Sequence, residues 1–282
     1  DRRWQVGVIV RATSGDCRGL RGTLPVPREW PDQQVRIEDE DTSPFVQSFG
    51  YRDLKQGSDL HVARQAGFFI PNLPAGEVAS VLITLEITRE SSQPPEDTAK
   101  FAIPTRAPRE VLVYLANSPS IEARHPSIRA RAKEITDGTD GSWQQVEAIF
   151  DWVRDHTKYV QSDLHGAVET LRAGQGNKED LSNLFIALCR ASGVPARTVW
   201  IPDHCYPEFY LEDAEGAGHW FPCMVAGPRE FGGISDHRPI LQKGESIDVP
   251  GVKDPQRFVA ESLTGKGGQP QVEFIRKLLP RN

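Results

Sequence analysis

Lys178 is the residue whose position suggests chemistry most directly. It lies in the first turn of a segment whose apolar residues recur at helical spacing. The positive end of the helix dipole disfavours a charged lysine there by up to about 1 kcal/mol, and Glu179 and Asp180 offset this effect. In a dry site Lys178 would be a neutral amine nucleophile. A solvated or salt-bridged lysine is the alternative, and burial decides between the two.

Histidine and cysteine side chains on the following segments offer a second kind of chemistry. His204, Cys205, His219 and Cys223 are residue types that bind zinc. Successive strand residues point to opposite faces of a sheet, so this set needs a bulge to face one way. We therefore expect no metal and no other cofactor, and we expect Cys189 to be a thiol packed in the core.

The elements that position these residues are a capped helix and three strands. Asn177 is a suitable N-cap, Asp180 completes a pattern like a capping box, and Gly193 fits the C-terminal end of the helix. The strands that follow are predicted over residues 196–201, 204–211 and 220–225.

Further helices are predicted upstream of this segment. His125 followed by Pro126 indicates the start of one helix, because proline is favoured in a first turn. Ser142 can cap a second helix, and residues 167–171 can form another helical turn.

The chain divides near residue 105 into a β-rich part and a mixed part. Residues 79–88 alternate between apolar and polar positions, which indicates a strand with one buried face. We predict an α+β protein with a β-sandwich domain over residues 1–105 and a second domain with a C-terminal extension over residues 106–282. In that extension Phe274, Ile275 and Leu278 have helical spacing, which predicts a short helix ending at Pro280.

Several motifs of the second part occur together in a known order. Residues from about 110 to 225 resemble the transglutaminase-like domain of the papain-like group of cysteine enzymes. The matching residues are Gly176 with Asp180, Leu184 to Arg190, Gly193-Val-Pro-Ala-Arg197, His204-Cys-Tyr-Pro-Glu208 and Trp220-x-Pro222. The resemblance implies helices packed on an antiparallel sheet, and a β-sandwich ahead of such a domain is common in that family.

The resemblance also assigns roles to positions. In the family a cysteine in the first turn of the helix attacks a glutamine-type or peptide carbonyl, a histidine acts as base, and an Asp or Asn orients the histidine. Here the cysteine position holds Lys178, the histidine position holds His204, and the orienting position reads Cys223-Met224. Because an acyl-lysine is a stable amide, turnover would stall. We therefore predict a catalytically inactive binding or scaffold module that holds a protein or peptide in a cleft near His204.

Two other interpretations remain open at this stage. The first is an active amidase, cysteine protease or acyltransferase whose nucleophile has moved to Cys223, Cys205 or Lys178. The second is a chain in which the nucleophile has been substituted, or a branch of the family that uses the fold for something unrelated to acyl chemistry.

Composition excludes other classes of protein. The chain has 282 residues, of which 38% are hydrophobic and 26% charged, so it can bury a core. A formal net charge of -6 argues against a nucleic-acid binder, and no apolar run approaches the length of a membrane span. Four cysteines are too few for a disulfide framework. The first residue is Asp1, so we expect either a removed signal peptide and an extracytoplasmic location or a trimmed terminus.

Overall fold

The computed structural model describes residues 2–57 and 60–280, and these residues form an α+β fold of mostly antiparallel sheets. The strands are β1 (Arg2–Arg11), β2 (Cys17–Val26), β3 (Gln33–Thr42), β4 (Ser48–Gln56), β5 (Leu60–Leu73), β6 (Val78–Arg89), β7 (Lys158–Tyr159), β8 (Gln175–Gly176), β9 (Ala196–Ile201), β10 (His204–Glu212), β11 (Gly218–Met224), β12 (Glu230–Phe231), β13 (Gln242–Lys243), β14 (Ser262–Gly267) and β15 (Gln271–Leu279).

The helices all lie in the middle of the chain. They are α1 (Arg109–Leu112), α2 (Pro126–Thr136), α3 (Ser142–His156), α4 (Ala167–Ala173) and α5 (Lys178–Ala191), with a short 3-10 helix over Val113–Leu115. Within the described ranges, none of them has the length and apolar character needed to cross a membrane.

The chain forms two compact units. The first contains Asp1–Glu90, Arg238–Gln242 and Ser246–Asn282, and the second contains Ser91–His237 and Lys243–Glu245. This division differs from the predicted boundary near residue 105, and it assigns the C-terminal extension to the first unit. The reason is long-range strand pairing, since β14 pairs with β2 and β15 pairs with β1.

The first unit is built from two antiparallel sheets around one core. One sheet has the order β15-β1-β6-β3, and in the other β5 pairs with β4 and β2. On β6, Val81, Ile83 and Leu85 are fully buried at alternate positions, as the period of the sequence predicts. Both sheets contribute aliphatic side chains to this core, which explains why so many short apolar segments precede residue 90.

The C-terminal segment is a strand, so the predicted helix is wrong. Nine consecutive residues of β15 pair with β1, from Gln271 opposite Arg11 to Leu279 opposite Arg3. The apolar residues fit a helical spacing, but residues 272, 274, 276 and 278 also lie on one face of a strand. Pairing with β1 satisfies the backbone of both strands, and this long-range gain overrides the weak local preference.

Helix α5 is the centre of the second unit. It packs against β9 and β10 of the antiparallel array β12-β11-β10-β9, and against α2, α3 and α4. Every residue from Asp180 to Arg190 is buried. The three strands predicted after this helix are present as β9, β10 and β11. The helix packs on β9 and β10, and β11 is held by its pairing with β10.

The starts of the helices agree with the sequence except at one cap. The N-cap of α2 is His125, and Pro126 begins the helix as predicted. Ser142, predicted to be an N-cap, is instead the first residue of α3, and the N-cap is Gly141 with φ +91°. The Ser142 hydroxyl accepts a hydrogen bond of 2.9 Å from the Ile103 amide, so a tertiary contact takes the oxygen that would have capped the helix.

Two motif residues form a buried ion pair that joins β9 to β10. Arg197 lies directly opposite Glu208, and its Nε donates to the carboxylate at 2.5 Å. The other carboxylate oxygen accepts from Nζ of Lys243 at 3.3 Å. The Arg197 guanidinium also lies over the Trp220 ring, 3.8 Å from its centroid. The motif residues Arg197 and Glu208 therefore have a structural role, because a buried charge is tolerated only when it is paired.

Replacing Arg197 with alanine should lower the free energy of unfolding by about 3 kcal/mol or more, because Glu208 would keep only Lys243 as a counter-charge. Chemical denaturation monitored by tryptophan fluorescence measures this loss. The matched control is Arg229→Ala, which removes an exposed arginine that pairs with Glu147 and Asp151. That variant should lose no more than about 1 kcal/mol. Equal losses in the two variants would contradict the structural role of the buried pair.

Candidate functional site

The start of α5 is held by the capping box that the sequence predicts. The Asn177 side chain accepts a hydrogen bond of 2.9 Å from the Asp180 amide. In return, Oδ2 of Asp180 accepts one of 3.0 Å from the Asn177 amide. Two of the amide groups that a helix start leaves unpaired are therefore satisfied, and the direction of the helix is fixed at Lys178.

The Asp180 carboxylate also holds a second segment against the helix. Its Oδ1 accepts hydrogen bonds from the amides of His165 at 2.8 Å and Gly166 at 2.9 Å. Nδ1 of the half-exposed His165 imidazole lies 3.5 Å from Oδ2. The Asp180 side chain itself is completely buried. One carboxylate therefore joins residues 165–166 to the start of α5 through three backbone amides.

Gly176 precedes the helix in a position that no larger residue could occupy. A Cβ atom there would lie 2.6 Å from Cβ of Asp180. Gly176 also pairs in parallel with Tyr159, and its carbonyl accepts from the Val160 amide at 2.9 Å. The glycine of the family motif is therefore required for the close packing of β7, β8 and the first turn of α5.

Lys178 is the first residue of α5, and its side chain is exposed. Its carbonyl accepts from the Ser182 hydroxyl at 2.9 Å, as expected in a helix. Its ammonium group forms no ion pair with any residue in the described part of the chain. The dry environment that would make this lysine a neutral nucleophile is not present around it.

His204 follows a tight turn at the start of β10. The turn residues are Pro202 and Asp203, and Asp203 adopts the left-handed conformation with φ +60°. His204 then pairs with Ile201 on β9. The half-buried imidazole has its Nε2 atom 3.1 Å from the thioether sulfur of Met224 at the end of β11. The structure thus brings together His204 and Met224, to which the sequence resemblance assigns the histidine and orienting positions.

Met224 is buried, and its backbone is held from α3. Nη1 of Arg154 donates to the carbonyls of Met224 and Val225, each at 3.0 Å, and to that of Gly227 at 3.1 Å. A thioether is a weak hydrogen-bond acceptor with no charge. Met224 therefore contacts the imidazole without the charge that would stabilise its protonated form.

The thiols of the second unit are buried. Cys223 and Cys189 belong to the same hydrophobic core, and the Cys223 sulfur lies 3.7 Å from the Pro207 carbonyl. Burial raises the pKa of both of these thiols well above the usual value, which disfavours the reactive thiolate. Cys205 is also buried and follows His204 on the strand, so the two side chains point to opposite faces. Within residues 2–57 and 60–280, none of the four cysteines, including Cys17, forms a disulfide.

The zinc-type residues of the sequence are not arranged as a metal site. His219 forms a hydrogen bond of 2.7 Å with Asp213 in the turn before β11, and this contact holds the pKa of Asp213 below its usual value. Cys223 faces the core. Within residues 2–57 and 60–280, no three His, Cys, Asp or Glu side chains form a group that could hold a metal ion.

His165 is the site residue that sequence reasoning did not identify. It lies before Gly176, where the motif of the helix begins, and only folding places it beside Asp180. The adjacent Gly166, with φ +88°, permits the close approach of this segment to the carboxylate. The His-Gly pair was the only local signal, and such a pair is common in turns.

Comparisons with known proteins identify the fold in which these residues lie. The model of the transglutaminase-like superfamily matches residues 129–224, which contain α3 to α5 and β9 to β11. The crystal structure of a "Putative Cysteine Protease" from Cytophaga hutchinsonii is similar to the whole chain, with a TM-score of 0.60 and 15% sequence identity over 100% of this chain and 92% of that chain. At that identity the likeness concerns the fold. It agrees with the predicted transglutaminase-like fold and its N-terminal strands.

A more distant similarity involves a "Putative Protease" from Parabacteroides distasonis. Its TM-score is 0.34 and its identity 13%, over 79% of this chain and 43% of that chain. No curated protein sequence gives a significant match.

Replacing Asp180 with alanine should lower the free energy of unfolding by about 3 kcal/mol, because three backbone amides would lose their acceptor. Hydrogen exchange of the backbone amides around residues 165 and 177 should also accelerate, and mass spectrometry can measure the exchange rate of each segment. Asp163→Ala removes an exposed carboxylate from the same loop, and it should change stability by less than about 0.5 kcal/mol. Unchanged exchange in Asp180→Ala would show that other contacts hold the start of α5.

Proposed function

We propose that the transglutaminase-like domain over residues 129–224 is a catalytically inactive binding or scaffold module. Its binding surface includes the start of α5 and the end of β10 that carries His204. The observation that carries the proposal is the exposed amine of Lys178 in the first turn of α5, where the active family has a thiol. The ligand class we propose is a protein segment or peptide, since the active family acts on peptide and glutamine side-chain carbonyls.

The chemistry of the acyl step supports this reading. A cysteine thiolate forms a thioester, which water or an amine then resolves. An amine that attacked the same carbonyl would form an amide, which is no more reactive than the substrate. Lysine nucleophiles are in addition generated by burial or by a neighbouring cation, whereas Lys178 is exposed. Residue 178 therefore has no atom suited to the nucleophilic attack that begins the family reaction.

The contact between His204 and Met224 supports the same conclusion from the other side of the site. A catalytic histidine becomes cationic when it takes the proton of the nucleophile, and a carboxylate stabilises that cation. The Met224 thioether at 3.1 Å supplies contact but no charge. Neither the nucleophile position nor the orienting position then carries the group that the family reaction needs, which supports an inactive module.

An active enzyme with a moved nucleophile is the alternative. Cys223 and Cys189 are completely buried, and burial raises the pKa of both thiols. Cys205 is 3% exposed. A thiol that is buried in apolar surroundings is inert towards substrate. These properties favour the inactive module over the enzyme.

Labelling with iodoacetamide distinguishes the two readings. In the native protein at neutral pH, all four cysteines should react much more slowly than in the unfolded chain, and none should depend on His204. Peptide mapping by mass spectrometry gives the rate at each cysteine in the wild type and in His204→Ala. Fast labelling of one cysteine that the histidine variant abolishes would establish an active thiol and refute the proposal.

Restoring the missing groups tests whether the framework of the site is preserved. The double variant Lys178→Cys with Met224→Asp should label rapidly at residue 178 and release ammonia from a glutamine-bearing peptide. Lys178→Ser with Met224→Asp is the matched control, and it should release at least about a hundredfold less ammonia, because serine has the weaker nucleophile. If the restored variant neither labels nor hydrolyses, the start of α5 and His204 do not form a common site.

A direct binding test uses an immobilised array of glutamine-containing and acidic peptides. We expect some of these peptides to bind to the wild-type protein without release of ammonia. The affinity of the protein for these peptides should fall about tenfold or more in Lys178→Ala. Lys133→Ala, at an exposed lysine near the end of α2, should leave binding unchanged. Equal binding by the wild type and both variants would place the interaction elsewhere on the protein.

A further inference from the structure

The outer edge of β15 is a long strand edge without a partner strand in the described part of the chain. β15 is the last strand in the order β15-β1-β6-β3, and its nine residues pair with β1 without a register shift. The backbone groups on its other edge therefore continue as a regular row. Such a row is a template for another strand.

The core side of β15 carries apolar groups that the first unit leaves uncovered. Phe274 pairs with Val8, and Leu278 pairs with Trp4, so each lies on the same face as a core residue. Val8 is 1% exposed and Trp4 9%, whereas Phe274 is 38% and Leu278 52% exposed. The apolar face of the sheet thus extends beyond the part that the second sheet covers.

β3 forms the opposite edge of the same sheet and is protected against pairing with another strand, whereas β15 is not. β3 carries the four consecutive acidic residues 38–41, and its register shifts between Ile37 and Asp39. Charge of one sign and a bulge are the usual means by which proteins prevent pairing at a sheet edge. β15 has neither a bulge nor charge of a single sign, since Glu273 is followed by Arg276 and Lys277.

We propose that β15 pairs antiparallel with β15 of a second copy of this chain, about a two-fold axis at Ile275. This inference concerns the first unit and is independent of the function proposed for the second. In this register residue 273 faces residue 277 of the second copy. Each Glu273 therefore faces a Lys277, and the symmetry makes two opposite-charge pairs.

The same register also covers the exposed apolar groups. Val272 faces Leu278 of the second copy, and Phe274 faces Arg276. The guanidinium of Arg276 is bound by Glu261 within its own chain, so its aliphatic part is available to the Phe274 ring. Alternative registers shift the pairing by two residues and place Glu273 opposite Ile275 or Leu279, which loses both charge pairs. The sequence of β15 therefore selects the register about Ile275.

Charge reversal tests the register without relying on a change in fold. Glu273→Lys places two lysine pairs across the axis, and Lys277→Glu places two glutamate pairs there. Each single variant should raise the dimer dissociation constant by about tenfold or more, because like charges face each other twice. The double variant Glu273→Lys with Lys277→Glu should restore the wild-type value. Sedimentation velocity over a range of protein concentrations measures these constants.

Mixing the two single variants gives the sharpest test. In a mixed dimer one copy has two lysines and the other two glutamates, so both facing pairs again have opposite charge. The mixture should therefore dimerise about as tightly as the wild type, although neither variant does so alone. Lys266→Glu is the matched control, since it makes the same charge change on β14, the exposed edge strand of the other sheet. It should leave the dissociation constant unchanged.

Three results would overturn the proposal. One is a wild-type chain that stays monomeric at every concentration, which would leave this edge to another occupant. Another is a dimer that neither charge reversal weakens. The third is a pair of weakened variants, each with a native circular dichroism spectrum, whose mixture fails to recover dimerisation.

Discussion

The buried carboxylate of Asp180 is the interaction on which the candidate site depends. It caps α5 through Asn177 and anchors the loop at His165 and Gly166, and each of these contacts uses a backbone amide. A buried carboxylate is stable only when hydrogen bonds replace the water it has lost. The helix start supplies such donors together with a favourable dipole. The geometry around Lys178 is therefore fixed by the hydrogen bonds of one buried carboxylate.

In the second unit, the motif residues that hold the fold together are constrained by packing and charge pairing, whereas residues 178 and 224 lie outside this set. Gly176, Arg197 and Glu208 match the family motifs, and each is required by packing or by charge pairing in the interior. Lys178 and Met224 are the residues at which the sequence resemblance expects other groups, and neither takes part in such an interior ion pair. A lysine at an exposed first turn keeps its solvation, and a buried methionine fills space well. A fold of this kind can remain stable without a catalytic nucleophile, which is the physical basis of the function we propose.

Prediction from sequence succeeded where local spacing and burial agree. The alternating residues of β6, the capping box of α5 and the proline at the start of α2 all have strong local signals, and the structure has each element in place. Prediction failed for the C-terminal segment, where β15 pairs with β1, and at Ser142, whose oxygen binds the Ile103 amide. In both failures a partner more than thirty residues away supplies the deciding contact.

The sequence by itself determined the helix and the three strands that follow it from residue 177 onward, the likeness to the transglutaminase-like fold, and the residue types at positions 178 and 224, an amine and a thioether. These depend on residue type and on spacing along the chain. Only the tertiary structure decided that Lys178 is exposed, that Cys223 faces the core, that His204 contacts Met224, and that the last strand returns to the first unit. Exposure and contact are set by chain segments far apart in sequence, and local preference does not encode them.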